Sequence, residues 1–157
     1  MASANTVPYE NATSGDAARS EVTKILRRFG CSSIGFMDDF DKKEILLAFE
    51  HRGNRVQLRA SAKGWAALYL RSKPYSSRSR KTRQQYEAGA LEQGLIATNS
   101  IIRDWVKGQV TAVECGVMSF SAVFLPYMLA ADGRPMLEHM TQRGLLPAPL
   151  DEEGNSD

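Results

Sequence analysis

Apolar residues return along this chain with two different spacings, and the points where the spacing changes divide it into elements. From Asp16 onward Ala18, Val22, Ile25, Leu26 and Phe29 recur every three or four residues, the repeat of a helix with one buried face, and Gly30 follows where a left-handed cap belongs. After Gly30 the repeat shortens to two. Ile34 and Phe36 alternate with Ser33 and Gly35, Ile45, Leu47 and Phe49 with Leu46, Ala48 and Glu50, and Val56, Leu58 and Ala60 with Arg55, Gln57 and Arg59. Three strands of an antiparallel meander are expected. Their connections are the Asp- and Lys-rich Met37 to Lys43 and the tripeptide Arg52-Gly53-Asn54, whose Gly and Asn tolerate the positive φ of a tight hairpin. Trp65 to Leu70 reads as a fourth strand or a further packed segment, Ala66 and Ala67 being weak strand formers.

The longest periodic stretch comes next. Advancing about 100° per residue, Leu91, Leu95, Ile102, Trp105, Val106 and Val113 share one side of a helix, with Ser100, Arg103, Asp104, Lys107, Thr111 and Glu114 opposite. A helix from about Thr82 to Cys115 would be roughly 50 Å long. Gly89, Gly94 and Gly108 inside it each cost about 1 kcal/mol relative to Ala, so a kink or close packing is expected at one of them. Ile96, Ile101 and Val110 fall outside the main stripe, and a homodimer through this helix would bury them. Ser119 is an N-cap for a helix from Phe120 to Leu129, kinked or shifted by Pro126, and Met136 to Arg143 forms a last helix after the turn Asp132-Gly133-Arg134-Pro135. Residues 1–14 and the acidic stretch 147–157 read as disordered tails flanking one domain over 15–146. The expected fold class is α+β: an N-terminal helix, a three- or four-stranded antiparallel sheet, and a long helix with two short ones on one sheet face.

Composition narrows the classes without naming an activity. With 157 residues, 43% hydrophobic and 24% charged, the chain has the make-up of an ordinary soluble domain. No apolar run reaches the roughly 18 residues of a membrane span, and Met1 to Asp16 lacks the basic start and apolar core of a signal peptide. Cys31 and Cys115 form neither a CxxC metal pattern nor a disulfide framework, so a reducing cytoplasm is expected, with both thiols acting as small buried apolar groups.

Charge changes the picture more. Ten of the 20 Lys and Arg residues lie between His51 and Tyr86, where none of the 18 Asp and Glu residues falls, so a chain of net charge +2 divides into a segment of +10 and a remainder of −8. Positive charge gathered in this way is a footprint for polyanions. If Val56, Leu58 and Ala60 face the core, Arg55 and Arg59 share the solvent face of the same strand, with Arg52 at its turn. The Ser- and Pro-containing segment after them adds Arg71, Lys73, Arg78, Arg80, Lys81 and Arg83, with Tyr75 available to stack on a base. Glu44 and Glu50 offer the strand arginines a purely structural alternative across the hairpin.

No catalytic signature accompanies the charge. Asp38, Asp39 and Asp41 lack EF-hand spacing and read as a solvated hairpin tip. His51, beside Arg52 at a strand end, and His139, beside Glu138, have no nearby nucleophile, and neither cysteine sits where a thiolate would be activated. A binding protein without cofactor or metal is expected rather than an enzyme.

The run Ala112-Val113-Glu114-Cys115-Gly116-Val117, then Ser119-Phe120, Phe124-Leu125 and Asp132-Gly133, resembles the helical half of a family of small open reading frames of phages and prophages, and Phe49 to Val56 is similar to that family's hairpin. The likeness covers about Leu26 to Leu145 and departs at Trp65 to Pro74, where the family carries a loop with Pro and Asp. It implies a mobile-element origin and a compact α+β domain, and no site residues. The functional expectation is a phage-type protein that binds DNA or RNA through the basic sheet face and the Arg-rich loop. The alternative is an anti-defence protein that captures an acidic host protein or a phosphorylated nucleotide signal.

Overall fold

The three strands are β1 (Ser33–Asp39), β2 (Glu44–His51) and β3 (Asn54–Ser61), hydrogen-bonded antiparallel in the order β1-β2-β3 in the computed structural model, which describes residues 6–147. Their register puts Phe49 between Ile34 and Val56, Leu47 between Phe36 and Leu58, and Ile45 opposite Ala60, so the alternating apolar positions of all three strands make one face. The hairpin between β2 and β3 is tighter than expected. His51 pairs directly with Asn54, and the positive φ falls on Arg52 (48°) and Gly53 (82°), with Asn54 already in the strand.

Helix α1 (Gly15–Phe29) starts at Ser14, whose Oγ accepts from the Ala17 N–H, and ends at Gly30 with φ 100°. Two further helices follow the sheet: α2 (Lys63–Ser72) and α3 (Arg83–Glu114). The last of these opens on a reciprocal cap, the Thr82 side chain accepting from the Gln85 N–H while the Gln85 side chain accepts from the Thr82 N–H. Val22, Ile25 and Leu26 of α1 and Ile102, Val106 and Val110 of α3 bury against Ile45, Leu47, Phe49 and Val56, and Phe124 closes the far end. Val110, expected to lie outside the buried stripe, is only 2% exposed within the chain, whereas Ile101 keeps 37% of its surface.

Trp65 to Leu70, open between strand and packed segment in the sequence, is helix α2. The reason is its spacing: Ala62, Trp65, Ala66 and Tyr69 fall at i, i+3, i+4 and i+7, and this stripe lies on the first half of α3 around Gly94 and Ala97. The close approach occurs at Gly94, where a Cβ would stand 3.1 Å from the Ala62 carbonyl oxygen and 3.3 Å from Trp65 Cε3.

The expected N-terminal tail is packed from Thr6 onward. Val7 is 1% exposed beside Trp65 and Ala97, Trp65 Nε1 donates to the Pro8 carbonyl at 2.8 Å, and Gln93 Nε2 donates to the carbonyls of Glu10 and Ala12. Tyr9 and Lys73 add bonds to Asp104 and Glu10, both at 2.6 Å. Residues 1–5, and 148–157 of the expected acidic tail, lie outside the described residues.

Beyond α3, helix α4 (Phe120–Phe124) is capped by Ser119 as expected but does not reach Leu129. Pro126 falls in a 3₁₀ turn, Leu125–Tyr127, after which Met128 bridges to Val56 and the Leu129 N–H donates to the Arg55 carbonyl, covering the outer edge of β3. Helix α5 (Met136–Gln142) ends the described fold. Cys31 is half-buried, and Cys115, expected to be buried, is exposed at the end of α3. Among the described residues no helix is long and apolar enough to cross a membrane.

The glycines of α3 give an internal comparison. Gly94→Ala should destabilise the fold by about 1–3 kcal/mol, because the neighbour its Cβ meets is backbone. Gly108→Ala meets nothing within 4 Å and should stabilise it by about 0.5–1 kcal/mol. Urea unfolding of the two variants reads both signs, and equal effects would mean that α2 does not pack on α3 at Gly94.

Candidate nucleic-acid and anion-binding surfaces

Most of the expected site residues lie at the two ends of helix α3. Arg71, Lys73, Tyr75, Arg78, Arg80, Lys81 and Arg83 gather around its N-terminus, where α2 turns back into it. Arg52 sits at the other end, in a cleft that also includes Val113 and Glu114. With about 30 helical residues between, these groups are roughly 45 Å apart.

At the N-terminal end the connection from Lys73 to Thr82 is built by its own hydroxyls. The Ser76 and Ser79 side chains accept from the N–H groups of Arg78 and Lys81, Tyr75 Oη donates to the Lys81 carbonyl, and Tyr86 Oη donates to that of Lys73. Tyr75 and Tyr86 lie 5.8 Å apart, centroid to centroid, and the Arg83 guanidinium covers the Tyr75 ring at 5.2 Å. Tyr75, expected to stack on a ligand, is thus occupied in holding the loop. Lys73 is occupied too: it bonds Glu10 and lies 5.5 Å from the Tyr69 ring centre, and the bond to Glu10 holds its ammonium above the usual lysine range. Arg71, Arg78, Arg80, Lys81 and Arg83 are exposed and, among the described residues, make no salt bridge. The first turn of α3 contains no acidic residue, so these cations stand at the positive end of its dipole.

The outer sheet face is different. Arg55 and Arg59 point to solvent as expected, but the register sets Arg55 opposite Glu50, and Arg59 reaches Glu44 at 3.7 Å. Leu46, Ala48, Gly35 and Met37 complete this face, which mixes both signs of charge around an apolar centre.

Arg52 meets partners that the sequence reading left aside. The cleft of about 640 Å³ beside it is lined by Arg28 and Phe29 from the end of α1, His51, Asn54, Val113, Glu114, Phe120 and Ser121. His51 is 6% exposed, stacked on Phe29 at 4.1 Å and beside Phe120 at 5.0 Å, the two phenylalanine rings being themselves 6.3 Å apart. Its Nδ1 is fully buried without a hydrogen-bond partner. Burial, with a smaller contribution from the Arg52 charge, lowers the imidazole pKa below its ordinary 6.5. Burial alone pushes the Cys31 thiol up to about 11. The signal for His51 was present: it continues the Ile45, Leu47, Phe49 alternation and so belongs to the inward face. Nothing local marked Arg28, which reads as ordinary solvated charge on α1.

The depressed imidazole pKa has a consequence for stability. An unfolded chain takes up the proton near pH 6.5, whereas the folded one resists it, so the contribution is complete above 6.5 and is lost as pH falls through the lower folded value. The melting temperature of the wild type should therefore drop relative to that of His51→Phe, which keeps the aromatic stack, when pH is lowered from about 7.5 to 5. Parallel pH curves would show that His51 titrates alike folded and unfolded.

Comparison of the chain with family models, with curated proteins and with solved structures finds no match in any of the three.

Proposed function

We propose that the protein binds nucleic acid through the basic end formed by α2, the Lys73 to Thr82 connection and the start of α3. The observation that carries this reading is the set of five exposed cations, Arg71, Arg78, Arg80, Lys81 and Arg83, without salt-bridge partners among the described residues, which together make a basic ridge at the end where α2 turns back into α3. Like charges crowded at the positive end of a helix dipole do not favour the isolated fold, and a phosphate backbone offsets both repulsions. Exposed cations spread over a loop and two helix ends suit a polymer that passes across them, and the serines beside the arginines suit phosphate contacts. The strand arginines, each opposite a carboxylate, have a smaller part in this reading than the loop. The mobile-element character rests on the resemblance to phage and prophage reading frames.

Neutralised phosphates release counterions, so five contacts on duplex DNA give an affinity that falls log-linearly with salt at a slope of about 4–5, a loss of some two to three orders of magnitude between about 50 and 200 mM. Replacing Arg78, Arg80 and Lys81 together with Ala should reduce that slope by about two to three with little change in melting temperature, since all three side chains are exposed. Fluorescence titration against duplex and single strand at several salt concentrations measures this. An unchanged slope, or no binding to either form, removes the proposal and leaves an acidic protein as the partner of the ridge.

A further inference from the structure

The cleft at the other end of α3 has the chemistry of a small-anion site. Its two cations come from different elements, Arg28 from α1 and Arg52 from the β2–β3 turn, and both are exposed. The same cleft is lined by an imidazole that the fold has buried at some cost. Nδ1 is fully enclosed and unpartnered, which costs less if that nitrogen is the bare acceptor, because an orphaned N–H loses more than an orphaned lone pair. With the proton on Nε2, which is not among the enclosed unpartnered atoms, His51 as a lining residue has an N–H donor for a ligand in the cleft.

We infer that this cleft binds the phosphate monoester of a small molecule, with Arg28 and Arg52 on the phosphate, His51 Nε2–H donating to one of its oxygens, and Phe120 and Val113 against the organic part. The two guanidinium groups suit a dianion and the neutral imidazole adds a direction. A volume of about 640 Å³ exceeds what a bare phosphate needs and falls within the usual range of small-molecule sites. Glu114, the carboxylate in the lining, opposes the anion and marks the place of a ligand hydroxyl or amino group, for which Asn54 and Ser121 are further partners. A nucleoside or sugar phosphate combines these features. The site stands independently of the ridge about 45 Å away.

The test follows the His51 imidazole by NMR while the intact protein is titrated with inorganic phosphate, adenosine 5′-monophosphate and adenosine. The monophosphate should move the His51 resonances, raise its pKa and bind more tightly than phosphate, and adenosine should do none of these. Arg28→Ala and Arg52→Ala should each weaken the monophosphate by about tenfold or more, as loss of a charge-assisted bond does, while Glu114→Gln tightens inorganic phosphate. Both arginines are exposed, so their variants fold even if a change at His51 does not. The Arg78, Arg80 and Lys81 variant should bind the monophosphate as the wild type does, which separates this site from the ridge. A 5′-phosphorylated oligonucleotide that moves His51, where its 5′-hydroxyl counterpart does not, would identify the phosphate source as a strand end. The inference is overturned if His51 is unmoved by phosphate and monophosphate, or if both arginine variants bind the monophosphate at wild-type affinity.

Discussion

At 32 residues α3 runs about 48 Å, whereas the eight-residue strands beneath it span about 26 Å, so nearly half of the helix has to find cover away from the sheet. Helix α2 and the segment from Thr6 to Ser14 provide it. The contact is possible because Gly94 and Ala97 leave room for Ala62 and Trp65, and the N-terminal segment then seals Trp65 through the Pro8 carbonyl. Two packed centres result along one helix: the sheet core around Leu47, Phe49 and Val106, and a smaller one around Val7, Trp65 and Ala97. Apolar burial at roughly 25 cal/mol per Å² drives both, but the smaller one has little sheet to rest on and depends on side-chain-to-backbone bonds from Trp65 and Gln93.

The same length separates the charged surfaces. A shorter helix would put Arg52 beside the Arg78 to Lys81 loop, whereas here roughly 45 Å separates them. The two ends also differ in how they handle charge. On the ridge, tyrosine and serine hydroxyls satisfy the loop backbone and leave the cations in water, where their mutual repulsion is screened beyond about 10 Å in ordinary salt. In the cleft an aromatic stack excludes water from one side of an imidazole, and the charged form of His51 is disfavoured accordingly. The ridge therefore presents charge alone, and the cleft a buried imidazole together with charge.

Much of this was legible before any coordinates. Period-two alternation over Ile34 to Ala60 determined the inward and outward faces of the strands, because a shift of one residue would have turned every apolar side chain outward. The 3.6-residue stripe and the cap signals at Gly30 and Ser119 determined α1, most of α3 and the start of α4 for equally local reasons. Charge segregation between His51 and Tyr86 was likewise a property of the chain alone. Misreadings fell where a local pattern was short. Residues 6–14 carry no period because single residues, Val7, Tyr9 and Glu10, each meet a different partner far along the chain.

What tertiary structure decided is which of the charged and polar groups are free. Arg59 and Lys73 look like Arg78 and Lys81 in sequence, yet the first pair have carboxylates at 3.7 and 2.6 Å because the hairpin register and the N-terminal segment bring Glu44 and Glu10 to them. Arg28 and Arg52, 24 positions apart, line one cleft with His51 because the end of α1 arrives near the turn between β2 and β3. Composition and periodicity are sums over near neighbours and determine elements and faces. Pairing, burial of a lone imidazole and the division of one basic segment between two ends depend on distances across the fold, which only packing sets.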